Sequence, residues 1–393
     1  MMIQPAVLST SQRICLLLMG ALGWLSFLGL PYEVTSLTTR FNLGGSAAGW
    51  MASAELLAVA VSAALFGRSI AKRDKRAASL LGVAIGVVGT LVSASLSAFT
   101  VVIGARILVG CGIGIISACA NATVALYDKP ERTFAQMLAM MSIVFAAVMY
   151  VVPHMINLLG PKGFDVVECA LLVGSVPFAL HLPRAKLFQP AASGCDLNAD
   201  KEEGRMMPAG VTTMLMAIFA SVATQAVCWT FAESAAQHLH MGQSEVTTAF
   251  TTMALAQIPA ALGAAWLGTR FGYRIPILVG CIASVLIAFG MYNSGSRVLF
   301  LISTISLSPT GAFLFPYLQG LLAEMDESGT SAAAGGAVAN LAAAAGPAIS
   351  ALFFSLGGLR FIGFSAAGLI VICLGCTLIG VSLFTRAREM RVA

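Results

Sequence analysis

The sequence predicts an all-α polytopic membrane protein with twelve transmembrane helices in two pseudo-symmetric six-helix bundles. Three observations predict it. The first is composition: of 393 residues, 58% are hydrophobic and 10% charged, with a mean hydropathy of +0.90. A soluble domain carries roughly 25% charged residues, so this chain has too few to cover a water-facing surface. The second is run length. Apolar stretches near 20 residues read as spanning helices, and there are twelve, at about 14–38, 45–67, 77–98, 101–127, 134–158, 164–183, 211–237, 246–268, 275–293, 297–322, 331–356 and 360–384. Barrel strands would instead alternate over about 10 residues. The third is an internal repeat. "FGRSIAKRDKRA" (66–77) follows the second span and "AWLGTRFGYRIP" (265–276) the eighth. "ALYDKPERTFAQ" follows the fourth and "LLAEMDESGTSAA" the tenth. The division is residues 1–183, a polar linker 184–210, and residues 211–393.

Charge gives the orientation, because cytoplasmic loops collect Lys and Arg. With the N-terminus inside, the cytoplasmic segments hold seventeen basic residues and the outer segments four, namely Arg40, Lys162, Arg297 and Arg360. Both termini are then cytoplasmic. The net charge of +5 reflects this bias and not nucleic-acid binding. The nine cysteines include Cys373 and Cys376, three apart on a spanning helix; they read as packing, and neither a disulfide, a metal site nor a cofactor is expected.

Taken in order, the spans carry a short series of polar residues. The first is too long for a signal-peptide core and lacks a small-residue cleavage site, so it stays in the membrane. It holds Glu33, with no Lys, Arg, Asp or Glu between Arg13 and it. A carboxylate in hydrocarbon costs several kcal/mol unless neutralised, paired or wet. Glu55 in the second span has no charged residue within ten positions. It reads as a cavity residue or as a protonated carboxyl bonded between helices. The fourth span, "VIGARILVGCGIGI", puts Arg106, Gly110 and Gly114 on one face; the arginine needs a partner or must snorkel to the interface. In the fifth, Tyr150 precedes His154 by one turn beside Pro153, and the histidine is either a proton relay or a structural hydrogen-bonding group. Glu168, near the start of the sixth, suits the helix dipole. Gln225, Trp229 and Glu233 share a face of the seventh, suited to a small-molecule pocket. Gln257, Tyr317 and Asn340 are uncharged polar candidates. The eleventh span is Ala, Gly or Ser at fifteen of twenty positions from 331 to 350, a close-packing surface.

Twelve spans, the repeat, the central loop and the basic loop after span two resemble the major facilitator superfamily along essentially the whole chain. That family's loop motif is Gly-x-x-x-Asp-Arg-x-Gly-Arg-Arg/Lys. Gly67, Lys72, Lys75 and Arg76 match it; Ala71 and Asp74 depart from it. The second copy keeps Arg270, Gly272 and Arg274, with Thr269 at the acidic position. The physical reading is a cytoplasmic latch of basic side chains on helix C-terminal carbonyls and acids; the plainer one is positive-inside anchoring. Arg106 and Gly110 resemble the family's fourth-helix motif of proton-coupled exporters, with Val109 replacing the usual polar residue.

In that fold the first and fourth helices line a central cavity. The resemblance therefore implies that Glu33 pairs with Arg106 and couples proton movement; the alternative places Glu33 wet at the outer interface. It implies a proton-coupled secondary transporter working by alternating access, not an enzyme, with a small molecule, protons and lipid as partners and a monomer as its unit. By analogy the location is a bacterial inner membrane. Export by antiport is slightly favoured over uptake by symport of a small organic compound, since the first-helix acid and fourth-helix arginine resemble proton-antiporting exporters; the excess of Glu33, Glu55 and Glu233 over Arg106 leans toward cationic, zwitterionic or neutral substrates. Against export, "FAAVMYVVPHM" in the fifth span lacks the exporters' Gly-Pro motif, and a Gly346-Pro347 pair lies in the eleventh instead. A reading of another class is a transporter-like scaffold or sensor without flux.

Overall fold

The computed structural model describes residues 10–70, 74–96, 98–124, 130–182, 209–268, 270–325 and 330–392. The first pass comprises α1 (Thr10–Leu22), α2 (Leu25–Leu28) and α3 (Leu30–Phe41). The next four are α4 (Gly45–Ile70), α5 (Lys75–Ser95), α6 (Phe99–Val124) and α7 (Pro130–Leu159). The sixth is α8 (Gly163–Gly174) with α9 (Val176–His181), and the seventh is α10 (Ala209–Thr230) with α11 (Ala232–His238). The last five are α12 (Gln243–Leu267), α13 (Arg274–Tyr292), α14 (Arg297–Met325), α15 (Thr330–Gly357) and α16 (Leu359–Val392). The central loop from 183 to 208 and Lys72 lie outside the described residues.

Among the described residues, ten stretches are long and apolar enough to cross a bilayer. One of them, Gln136–His181, has 46 residues. As one helix it would run about 70 Å, more than twice the hydrocarbon thickness of about 30 Å. A turn of 3-10 helix at Gly160–Lys162, with Gly160 at φ 70°, folds it into two passes. The first pass is absent from the ten because it is broken into pieces of 13, 4 and 12 residues. The count is therefore twelve, as expected.

The break corrects the continuous span read at 14–38, and it has local causes. Pro31 stands in the first turn of α3, where a missing N–H costs least. In an unbroken helix that N–H would have reached the carbonyl of Phe27. Trp229 takes its place from the seventh pass, its Nε1 donating to Phe27 O at 3.1 Å. Gly23 and Gly29 bracket α2 where neighbours leave no room. A Cβ at Gly23 would lie 2.9 Å from the Ser117 backbone, and one at Gly29 2.6 Å from the Phe164 ring.

The face shared by Arg106, Gly110 and Gly114 packs on α4. A Cβ on Gly110 would collide with the carbonyl oxygen of Glu55, and one on Gly114 with Ser62 and Val59. The absence of those side chains lets the two backbones touch, which delivers Arg106, one turn from Gly110, to the side of Glu55.

Helices α1–α9 and α10–α16 meet along α4–α15 and α7–α12. They are fastened at the end of the bundle where α3 turns into α4 and α11 into α12. There Ser53 Oγ donates to Ala344 O at 2.7 Å. Trp229 stands edge-on to Phe145 and Phe250, with centroids 5.5 and 4.9 Å apart, and Tyr32 meets Phe250 at 5.9 Å.

A valine at position 110 would push on backbone that cannot yield. Gly110→Val is expected to cost about 1–3 kcal/mol of stability, the usual range for overpacking. Thermal unfolding in lipid nanodiscs checks this, with Gly104→Val as the control because a Cβ there meets nothing within 4 Å.

Candidate functional site

Arg106 is 1% exposed and sits among four carboxyl groups from three other passes. Its Nε donates to Glu33 Oε1 of α3 at 3.0 Å and to Glu55 Oε2 of α4 at 2.6 Å. Nη1 and Nη2 donate to the two oxygens of Glu168 in α8 at 2.5 and 3.5 Å. Asp165, one turn earlier on α8, has Oδ1 3.6 Å from Nη1. The Phe164 ring lies 5.4 Å from the guanidinium carbon. A planar fork with five donors can face several carboxylates at once, and this fork faces three helices.

Asp165 extends the network toward the end of the bundle. It accepts from Ser93 Oγ at 3.2 Å and from Arg40 Nη1 at 3.3 Å, and Arg40 also donates to the carbonyl of Leu96. A small crevice lined by Ser36, Arg40, Pro161 and Asp165 reaches from there to Glu33 and Arg106.

The Glu33–Arg106 pairing expected from the resemblance is present. The two plainer readings are corrected: Glu33 is 1% exposed, not wet, and Arg106 does not snorkel. Glu55, isolated in sequence, shares the same guanidinium nitrogen. Glu168 is a further correction, being a full partner of Arg106 where its position suggested only a helix-dipole contact. Asp165 was not singled out by sequence at all. Its signal was present, an acid one turn before Glu168 in an apolar helix.

Directly beyond the cluster, between the two sets of helices, lies a narrow cavity of about 30 Å³ with a wider mouth. Trp24, Ser26 and Phe27 form one wall; Leu56, Val59 and Ala60 of α4, Ile113 and Ser117 of α6, and Asn340 and Ala344 of α15 complete it. Its lining is mostly apolar, its polar groups are uncharged, and Asn340 is exposed there.

The other candidates are dispersed. Trp229, 3% exposed, belongs to the aromatic closure and not to the pocket. Gln225 packs against Gly311 of α14. Glu233 is 5% exposed beside Thr35 and Gln237, and its Oε2 has no hydrogen-bond partner among the described residues. Tyr317 donates to Ala264 O at 3.3 Å within an aromatic group, a structural position. Gln257 is half-buried in α12 and lines none of the pockets described here. The Tyr150 and His154 rings lie tilted against each other at 4.8 Å and line a separate groove between α7 and α12 with Asn157, Thr247 and Thr248.

Of the basic-loop residues, Lys75 is buried at the start of α5, whose N-cap Asp74 accepts from the Arg76 backbone N–H at 3.0 Å. Gly67 stands in open space. In the second copy Gly272 has φ 65°, a conformation that favours glycine. Arg270 lies over the Trp266 ring at 4.9 Å, and Arg274 opens α13, exposed. Tyr273, between the spans, donates to Glu324 at the end of α14 at 2.8 Å. Burial first, then the Glu324 carboxylate, push its phenol up to about 12.

These features define a polytopic helical membrane protein whose two sets of helices enclose a pocket beside a buried ion cluster. The family model of the Major Facilitator Superfamily matches residues 213–391. Two solved structures share the fold. A D-xylose–proton symporter aligns with a TM-score of 0.69 at 16% identity, covering 92% of this chain and 96% of its own. The xylose transporter XylE from E. coli, in an inward-open conformation, aligns with a TM-score of 0.69 at 16% identity, covering 95% of each. No curated protein matches the chain in sequence. The family match thus covers the second half of the chain, and the fold is shared along nearly its whole length.

Removing the guanidinium leaves the carboxyls buried without their cation. Arg106→Ala is expected to cost about 3–5 kcal/mol, and Arg106→Lys to recover little, because one ammonium cannot serve both ends of the fork. Adding Glu55→Gln to Arg106→Ala is expected to return part of the loss. Unfolding midpoints of the three variants check this.

Proposed function

We propose that this chain is a proton-coupled secondary transporter that carries a small neutral organic molecule by alternating access, with the proton held at the Glu33–Glu55 pair on Arg106. The observation that carries the reading is the charge balance of the cluster. Four carboxyls share two guanidinium groups, those of Arg106 and Arg40, inside the membrane-spanning helices. Full ionisation would leave uncompensated negative charge out of water, which costs several kcal/mol. Glu33 and Glu55 meet at one N–H, and two carboxyl groups that close are best accommodated by sharing a proton. A site that must hold a proton in one state and can release it when wetted is what coupling requires.

The same geometry favours symport over antiport. Export of a cation by competition needs acids free to meet it, and Glu33, Glu55 and Glu168 are engaged by Arg106. The pocket itself offers only neutral donors and acceptors. The fold shared with a D-xylose–proton symporter supports that direction. With the basic loops inside, the closed end of the bundle faces outward. The pocket then lies on the cytoplasmic side of the closure, and the Arg40 crevice leads protons in from outside. The protein acts as a monomer in a bacterial inner membrane, with both termini cytoplasmic.

A thermal-shift screen of purified protein against neutral, cationic and anionic compound sets at two pH values tests the reading, since ligands stabilise by mass action. Neutral compounds are expected to stabilise, more strongly at low pH, and Glu55→Gln to remove the pH dependence. Cationic compounds that bind better at high pH and lose affinity in Glu33→Gln would establish antiport instead. For a hit reconstituted in liposomes, Glu33→Gln and Glu55→Gln are expected to abolish uptake driven by a proton gradient while leaving substrate exchange intact.

A further inference from the structure

The short helix α2 and its N-cap Trp24 touch three parts of the molecule at once. Trp24, Ser26 and Phe27 line the pocket. Ser26, 1% exposed, lies against the Glu55 carboxyl of the ion cluster. The Phe27 carbonyl, deprived of its helical donor by Pro31, accepts from Trp229 at the closed end. Two atoms at this junction are unsatisfied. Ser26 Oγ and Glu55 Oε1 are both buried without a hydrogen-bond partner among the described residues. Buried polar atoms are nearly always paired, and these two lie close enough to pair with each other. Gly23 and Gly29 stand on either side of the segment, packed against Ser117 and Phe164.

We propose that α2 couples the proton to the substrate, with Ser26 as the positioning residue. When Glu55 is ionised, the Ser26 hydroxyl donates to it and is withheld from the pocket. When Glu55 is protonated, the hydroxyl is released to donate to a hydrogen-bond acceptor on the substrate, and the rotation of α2 shifts Phe27 O against Trp229. Proton and substrate then bind cooperatively, and by linkage each strengthens the other. The titratable groups facing Glu55 are Glu33 from α3, Arg106 from α6 and Glu168 from α8, with Asp165 and Arg40 behind them in the same network; α15, packed along α4, carries no titratable side chain. The proposal rests on the proton-site reading above and adds the route by which protonation is transmitted.

The test uses full-length protein in nanodiscs, labelled with 5-fluorotryptophan and titrated with acid. Its four tryptophans are assigned by Trp→Phe variants. Trp24 and Trp229 report the segment and the closure; Trp50 and Trp266, both exposed, are controls. Infrared absorption of protonated carboxyl groups follows the cluster independently. In the native protein the Trp24 and Trp229 lines are expected to shift with the same midpoint as the carboxyl band. In Ser26→Ala the carboxyl band should still titrate while those two lines fall to the level of the controls, and Ser26→Thr should restore them. Trp229 following the carboxyl band in Ser26→Ala as in the native protein overturns the coupling role and leaves the proton site standing. A native protein in which no carboxyl titrates overturns both. Unchanged control lines verify that the variant is folded.

Discussion

The N-terminal half is organised around one guanidinium. Arg106 draws carboxyl groups from α3, α4 and α8 to within bonding distance, and each contact fixes the rotation of the helix that carries it. Packing alone would leave these helices freer, because lipid tails are as apolar as leucine and supply little force between helices. The charge contact is in turn made possible by contact without side chains. Only because α6 presents glycine to α4 does the arginine reach Glu55. The expensive interaction and the cheap one are therefore a single device: small residues set the distance, and the ion cluster sets the angle.

The C-terminal half is built differently. Its contact with α4 is made by α15, rich in alanine and glycine, and by one serine hydroxyl on a backbone carbonyl. Most of this surface is small, and its large knob is Phe354, which packs on Gly45 of α4 and stacks on Phe231. In the proposed cycle one half would carry the charge and the other a face of small residues against which it moves. The neutral pocket lies at their boundary, one helical turn along α4 from the ion cluster, where Glu55 and Leu56 are consecutive in sequence but serve different sites.

Much of this was legible in the sequence. Apolar run length gave the passes, because hydrocarbon thickness imposes a minimum on each. Arg106 and Glu33 were legible as partners because each is too costly to bury alone. What was not legible is how many partners one arginine would gather. Glu55 has no charged neighbour in sequence, and Glu168 sits where a helix dipole gives a sufficient local reason for an acid. Both joined the cluster through tertiary approach, which local reasoning does not see. The break in the first pass was missed because the run was read by its length, although Gly23, Gly29 and Pro31 punctuate it. Part of its cause is tertiary, Ser117 and Phe164 pressing on Gly23 and Gly29 from other helices. The aromatic and polar face of the seventh pass suggested a pocket, and Trp229 became part of the closure instead. An indole beside a carbonyl in need of a donor is satisfied by that contact.

That last contact has a consequence for how the molecule opens. Backbone polar groups within a bilayer must be satisfied by protein or by water in a cavity. Pro31 leaves the Phe27 carbonyl without its helical donor, and the indole that replaces it comes from the opposite half. The closure of the bundle and the repair of the broken helix are therefore one hydrogen bond. Separating the halves at this end strands the carbonyl unless water arrives at the same moment. Opening is thus tied to wetting of the very segment that borders the carboxyl cluster. In the proposed transport cycle a carboxyl held out of water in this state would gain access to water when that bond parts, which would link the proposed proton site to the conformational change through the backbone.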